Sequence, residues 1–233
     1  MSKLFTNLGR WLRNYVPKII VLLLLYLMVG FVQLPIRFIS DAASPLHNAI
    51  YVVAYFAAFA VAIWLARRVY LQHSWHPVRR VTKKDLWLIV KCYALAIILE
   101  IALNNLNLMV NHQVSSKNND LIMQLLARNR LILVVMTISM VCLSPILEEL
   151  VFRGYLMDAF FGPRHFWWPI LTSGLVFASG HLVSNLISFA VYVSLGMFLG
   201  YAYEKSGNLR TSILMHALNN LISVVPILVL ILH

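Results

Sequence analysis

Seven apolar runs dominate the chain, at about residues 17–34, 49–66, 86–103, 131–147, 167–183, 185–203 and 210–232. Each approaches the roughly 17–25 residues that carry an α-helix across a bilayer. Within lipid, every backbone N–H and C=O must be satisfied inside the segment, so such runs cross as helices. The 233 residues are 61% hydrophobic, with mean hydropathy +0.80, far more apolar material than a soluble core of this length requires. The expected fold is therefore all-α: a polytopic transmembrane bundle of about seven spans, within a range of six to eight.

The formal net charge of +11 does not point to nucleic acid. Its cations flank the apolar runs, as they do in cytoplasmic loops, and no basic stretch interleaved with aromatics forms a separate module. With the N-terminus inside, fourteen Lys and Arg fall in inside segments and four (Arg37, Lys117, Arg128, Arg130) in outside ones. The expectation is a multi-pass protein with a cytoplasmic N-terminus. Its first span follows Lys3, Arg10, Arg13 and Lys18 much as a signal peptide would, but no small-residue cleavage site comes after it, so it reads as retained. Residues 67–84 read as a solvated basic loop, with His73 and His76 as loop residues. The stretch Asp120–Arg130 has helical apolar spacing and lies in the interface or folds into the protein. Cys92 and Cys142 sit in apolar runs without a CxxC partner and read as small buried hydrophobes.

Against this background one segment is out of place. "SPILEELVFRG" (144–154) puts Glu148, Glu149 and Arg153 directly after an apolar run, in a chain with eight acidic residues. On a continuing helix Glu149 and Arg153 are four apart and share a face, while Glu148 is rotated by about 100° and left free. A helix end with a surface ion pair would explain these residues alone. Two later runs add "FASGH", with Phe177 four before His181, and "HALNN", with His216 four before Asn220. Ionisable groups within spans cost on the order of 2.5–3.5 kcal/mol each at the bilayer centre, and they usually face a shared cavity. Two histidines, an amide and two carboxylates suit amide hydrolysis by an activated water. A carboxylate and an imidazole can manage the proton, and a histidine and an amide can stabilise the oxyanion.

The ordered set EExxxR, FxxxH and HxxxN, each on an apolar helix, resembles the CAAX protease and bacteriocin-processing (Abi) family of intramembrane endopeptidases over about residues 131–225. The resemblance implies an intramembrane catalytic cavity, with Glu148 and His181 activating water and His216 and Asn220 forming the oxyanion site. Glu149, Arg153 and Phe177 become supporting residues, and Asn219 is an additional amide beside the expected one. The chain then reads as one integral membrane domain over 1–233, with N-terminal spans and loops to 118 and a catalytic core over 119–233. A bacterial cell membrane is the expected location. The expected partners are the lipid bilayer and a peptide or membrane-associated protein substrate, with no oligomeric state specified. Access from the cytoplasmic side is expected, because Glu148 falls at the inner end of the fourth span.

Other readings stay open. Glu148, His181 and His216 could supply three ligands to Zn²⁺, although the helical HExxH pattern is absent and a cofactor-free mechanism is preferred. Ser179 in "ASG", with His216 as base, would make a rhomboid-like serine protease. A bacteriocin-immunity protein would bind without cleaving. Lys91 and Glu100 would suit a transporter, but nine positions on one helix set them on opposite faces.

Overall fold

The computed structural model describes the backbone of residues 2–232 and the side chains of 12–231, so the side chains of Lys3 and Arg10, counted above, lie outside it. Eight helices and no strands make up the described residues. They are α1 (Ser2–Phe31), α2 (Pro45–His73), α3 (Lys83–Asn111), α4 (Lys117–Ala127), α5 (Arg130–Phe160), α6 (Trp167–Ser179), α7 (Leu186–Ser206) and α8 (Leu209–Leu232). A 3₁₀ turn, Leu34–Phe38, follows α1.

Six of these are long and apolar enough to cross a membrane: α1 with its 3₁₀ turn, α2, α3, α5, α7 and α8. Apolar side chains such as Leu24, Val53, Ile98 and Leu230 stay exposed on them, as a lipid-facing surface requires. The fifth expected span, 167–183, is corrected. Its helix has 13 residues, about 20 Å at the α-helical rise, against a hydrocarbon core of about 30 Å. It stops at Ser179, and the next helix does not start until Asn185, whose side chain accepts the Ser188 N–H as N-cap.

The end of the bundle where α1 begins also holds the loops 74–82, 161–166 and 207–208. There Lys18 donates from its ammonium to the Ala159 carbonyl, and the Tyr155 hydroxyl donates to the Lys18 carbonyl at 3.0 Å. Residues 67–84 are loop only over 74–82, and that loop, though largely exposed, is pinned to the bundle. Helix α2 runs to His73, and Arg79 bridges the two carboxylate oxygens of Asp85 (2.6 and 2.9 Å) and the Ser206 carbonyl (2.7 Å). Asp85 in turn closes a capping box with Thr82. His76 packs edge-on to Tyr203, and its burial lowers the imidazole pKa below the usual value.

The opposite end is formed by the last turns of α1, α3, α6 and α8 and the first turns of α5 and α7. Helix α4 folds over it rather than lying free: Leu126 is buried, the Asn118 N–H donates to the Leu182 carbonyl, and Ser116 meets the Tyr192 hydroxyl at 3.0 Å. Cys92 is buried as expected, but Cys142 is exposed, because an apolar run supplies a lipid face as readily as a core.

The motif-bearing helices pack through glycine. Gly196 and Gly200 on α7 have the spacing that lets membrane helices approach closely. A Cβ on Gly196 would meet the Gly174 Cα at 2.8 Å, whereas one on Gly200 would meet nothing nearer than Ile170 Cα at 3.4 Å. Gly196→Ala is therefore expected to destabilise the protein by about 1–3 kcal/mol, as overpacking does. Thermal unfolding in detergent checks this, with Gly200→Ala expected to sit close to the parent.

Candidate active site

Helix α5 positions the acidic pair, and it is not a uniform α-helix. Two π-helical segments, Ser139–Leu143 and Leu150–Tyr155, bracket a short α segment, Ser144–Glu149. Such widened turns are frequent at functional sites. The helix continues eleven residues beyond Glu149 to Phe160, so the acids do not sit at a span end. They are held inside the bundle.

Glu149 and Arg153 are both fully buried, and the guanidinium donates from Nη1 to Glu149 Oε1 at 2.7 Å. Arg153 also donates from Nη2 to the Gly196 carbonyl at 2.9 Å, and its charge lies 4.7 Å from the centre of the Phe177 ring. The same carboxylate oxygen accepts a hydrogen bond from His216 Nδ1 at 2.9 Å. Because that nitrogen carries its proton toward Glu149, the other ring nitrogen, Nε2, is left facing Glu148 Oε2, 3.9 Å away. Glu148 differs from its neighbour. Its side chain is 17% exposed and opens into a cavity.

That cavity has a volume of about 600 Å³ and is lined by Glu148, His181, His216, Asn219 and Asn220 together. They come from α5, from the end of α6 and from α8. His181 lies just past the end of α6. Its Nδ1 donates to the Phe177 carbonyl at 2.9 Å, so its Nε2 is the acceptor in the neutral ring, which stacks on Tyr192 at 4.3 Å. Phe177 is buried between the two imidazoles, with ring centroids 4.6 Å from His181 and 5.6 Å from His216. Asn220 gives one amide N–H to the Met140 carbonyl, in the first π-helical segment, at 2.8 Å, and Asn219 donates to Asn220 Oδ1 at 3.4 Å.

Residues 130–222 match the family described as type II CAAX prenyl endopeptidase Rce1-like. This part of the chain resembles that family of endopeptidases. The matched bounds take in Glu148, Glu149, Arg153, Phe177, His181, His216 and Asn220. The six apolar helices and the Rce1-like segment together make the chain an integral membrane protein. Comparisons with curated proteins and with solved structures return no match.

Several residues around the Rce1-like site carry no motif that a sequence reading could use. Tyr192 backs His181, and the Gly196 carbonyl holds Arg153; only the Gly196–Gly200 spacing hints at the second. Outside the Rce1-like segment, Tyr55 links Gln33 Oε1 (2.8 Å) to Ser139 Oγ (2.7 Å), tying α1 and α2 to α5 beneath the cavity wall. The other groups weighed from sequence are placed as follows. The Ser179 hydroxyl donates to the Val176 carbonyl at 2.7 Å and lies 3.2 Å from the Tyr26 hydroxyl, with no hydrogen bond to His216 among the described residues. Glu100 lines the cavity, while Lys91 on the opposite face of α3 is exposed. Among the described residues no three His, Cys, Asp or Glu side chains cluster as a ready metal-ligand set, Glu148, His181 and His216 included.

Proposed function

We propose that the chain is an intramembrane endopeptidase that hydrolyses a peptide bond in its central cavity with a water activated by Glu148 and His181. The observation that carries this is the sharing of His216. One imidazole contacts Glu149 at 2.9 Å and approaches Glu148 to 3.9 Å at the floor of a cavity that also receives His181.

Charge balance assigns the roles. Glu148 and Glu149 bring two negative charges and Arg153 one positive charge into a cluster held inside the bundle, so one added proton makes the cluster neutral. Placed on His216, that proton gives an Nε2–H directed toward the cavity, held by the Glu149 carboxylate behind it. Glu148 then remains an ionised base. Water gives a proton to Glu148 or His181 Nε2 as its oxygen attacks the scissile carbonyl carbon. The carbonyl oxygen becomes the oxyanion and accepts from His216 Nε2–H and from the free N–H of Asn220. The proton taken from water passes to the amide nitrogen, the C–N bond breaks, and a carboxylic acid and an amine leave. Arg153, backed by the Phe177 ring, touches no substrate in this scheme; it fixes Glu149, and through it the orientation of the His216 ring.

Every step is supplied by side chains of this chain, and the mechanism proposed is free of metal. Cleavage is expected to persist at full rate in a strong chelator, and loss of activity restored by added Zn²⁺ would overturn the metal-free scheme. The central test is mass spectrometry of peptides incubated with the purified, detergent-solubilised protein. Cleavage products are expected with the parent and not with Glu148→Gln.

A further inference from the structure

We propose that the cavity opens on the non-cytoplasmic face of the membrane, so that this protein takes polypeptide segments lying on that face. The substrate part of this proposal rests on the peptidase reading above; the direction of opening does not.

The two ends of the bundle differ sharply in charge. Lys3, Arg10, Arg13, Lys18, Arg67, Arg68, Arg79, Arg80, Lys83, Lys84, Arg164, Lys205 and Arg210 all belong to the end where α1 begins. Only Arg37, Lys117, Arg128 and Arg130 belong to the other. Arg153, which sequence counting assigns to a loop, is buried in the acidic cluster and takes no part in orientation. Thirteen cations against four places the first end in the cytoplasm.

The cavity opens at the other end. Its exposed lining residues include Arg37, Asn104, Val114, Asn119, Ser179 and Leu182, at or just beyond the far ends of α1, α3 and α6 and in the loop and helix of 112–127. Among its buried lining residues, Phe152, Phe177 and His216 form the floor. Below that floor, toward the basic end, the bundle is solid. Tyr155 and Tyr203 are fully buried, and Tyr70, Met157 and Ile170 are buried around them. Tyr70 packs so closely on Gly154 that a Cβ there would meet its ring at 2.6 Å. The Tyr203 hydroxyl donates to Asp158 at 2.7 Å, and the Arg79 clasp lies outside that layer. A peptide approaching from the basic end meets a plug; one approaching from the other end meets Glu148. This reverses the cytoplasmic access expected from the sequence, which took Glu148 to be at the end of its span.

The test uses single cysteines in a Cys92→Ala/Cys142→Ala background of the full chain, expressed in bacterial spheroplasts and treated with a membrane-impermeant maleimide. Val114→Cys, in the loop at the rim and 85% exposed, and Ser179→Cys, on the cavity wall, are expected to label in intact spheroplasts. Val78→Cys, at the basic end, is expected to label only after permeabilisation. The reverse pattern, or a Ser179→Cys that stays unlabelled while Val114→Cys reacts, would overturn the proposal. Repeating the labelling in Glu148→Gln separates the two readings, because orientation is scored without any cleavage. If the pattern holds, a peptide supplied outside spheroplasts is expected to be cut by the parent and spared by Glu148→Gln. Cutting only of peptides supplied to inverted vesicles would overturn the substrate side.

Discussion

Arg153→Leu is expected to lower the unfolding free energy by about 3–5 kcal/mol and to abolish cleavage. The guanidinium is fully buried and its partner Glu149 is equally enclosed, 2.7 Å away. Removing one member of a buried ion pair leaves the other as an uncompensated charge, which is the origin of that magnitude. The damage reaches the cavity through His216, because a Glu149 that has lost its cation must take up a proton or move. Either event weakens or displaces the acceptor that holds His216 Nδ1 at 2.9 Å. Denaturant or thermal unfolding in detergent measures the loss. The double variant Arg153→Leu/Glu149→Leu should recover most of the stability, since a hydrophobic pair of similar volume is tolerated, while remaining inactive. A single variant as stable as the parent would show that Glu149 is not held as an anion.

Glu148→Gln tests the other half of the pair and separates function from folding. Its side chain is partly open to the cavity, and its nearest charged neighbour, His216 Nε2, is 3.9 Å away, beyond a hydrogen bond. Exchanging one oxygen for an amide therefore removes little native contact, and stability should change by less than about 1 kcal/mol, the range of ordinary exposed positions. The catalytic base, however, is gone. General-base contributions are typically about 10²–10⁴-fold, and cleavage is expected to fall toward the upper end, with KM little altered. A variant cleaving within about tenfold of the parent would move the base to another residue, with His181 first in line. The two variants separate the roles: Arg153→Leu is expected to cost both stability and rate, Glu148→Gln rate alone.

The sequence made the pairing of Glu149 with Arg153 legible, because a four-residue separation keeps two side chains on one helical face even where the helix is locally widened. The bundle was legible for a different reason, since lipid sets a minimum length on apolar runs that few residues can disguise. The same rule failed at 167–183, where apolar composition continued past Ser179 but the helix did not; hydropathy counts side chains and is blind to where a backbone turns. It failed again at Cys142, because lipid and protein core select the same residues. The depth of Glu148 within its span was lost for a related reason. Ionised groups suggested a water-facing end of α5, whereas their charges are satisfied by one another inside the bundle. The placing of His181, His216 and Glu148 on one cavity was suggested by their rarity in apolar runs, but the aromatic backing from Tyr192 and the carbonyl of Gly196 had no comparable signature.

The widened turns of α5 have a bearing on how relatives of this helix should be lined up. A π-turn holds one more residue than the α-turn it replaces, so the path from Arg130 to Phe160 contains two extra positions that an uninterrupted helix would lack. Any pairing of this chain with a protein whose corresponding helix is regular will drift by one place on each side of Ser144–Glu149 unless gaps are opened there. Read without those gaps, conserved partners flanking the acids would look like unrelated substitutions, and the insertion points themselves are where ancestry should be sought.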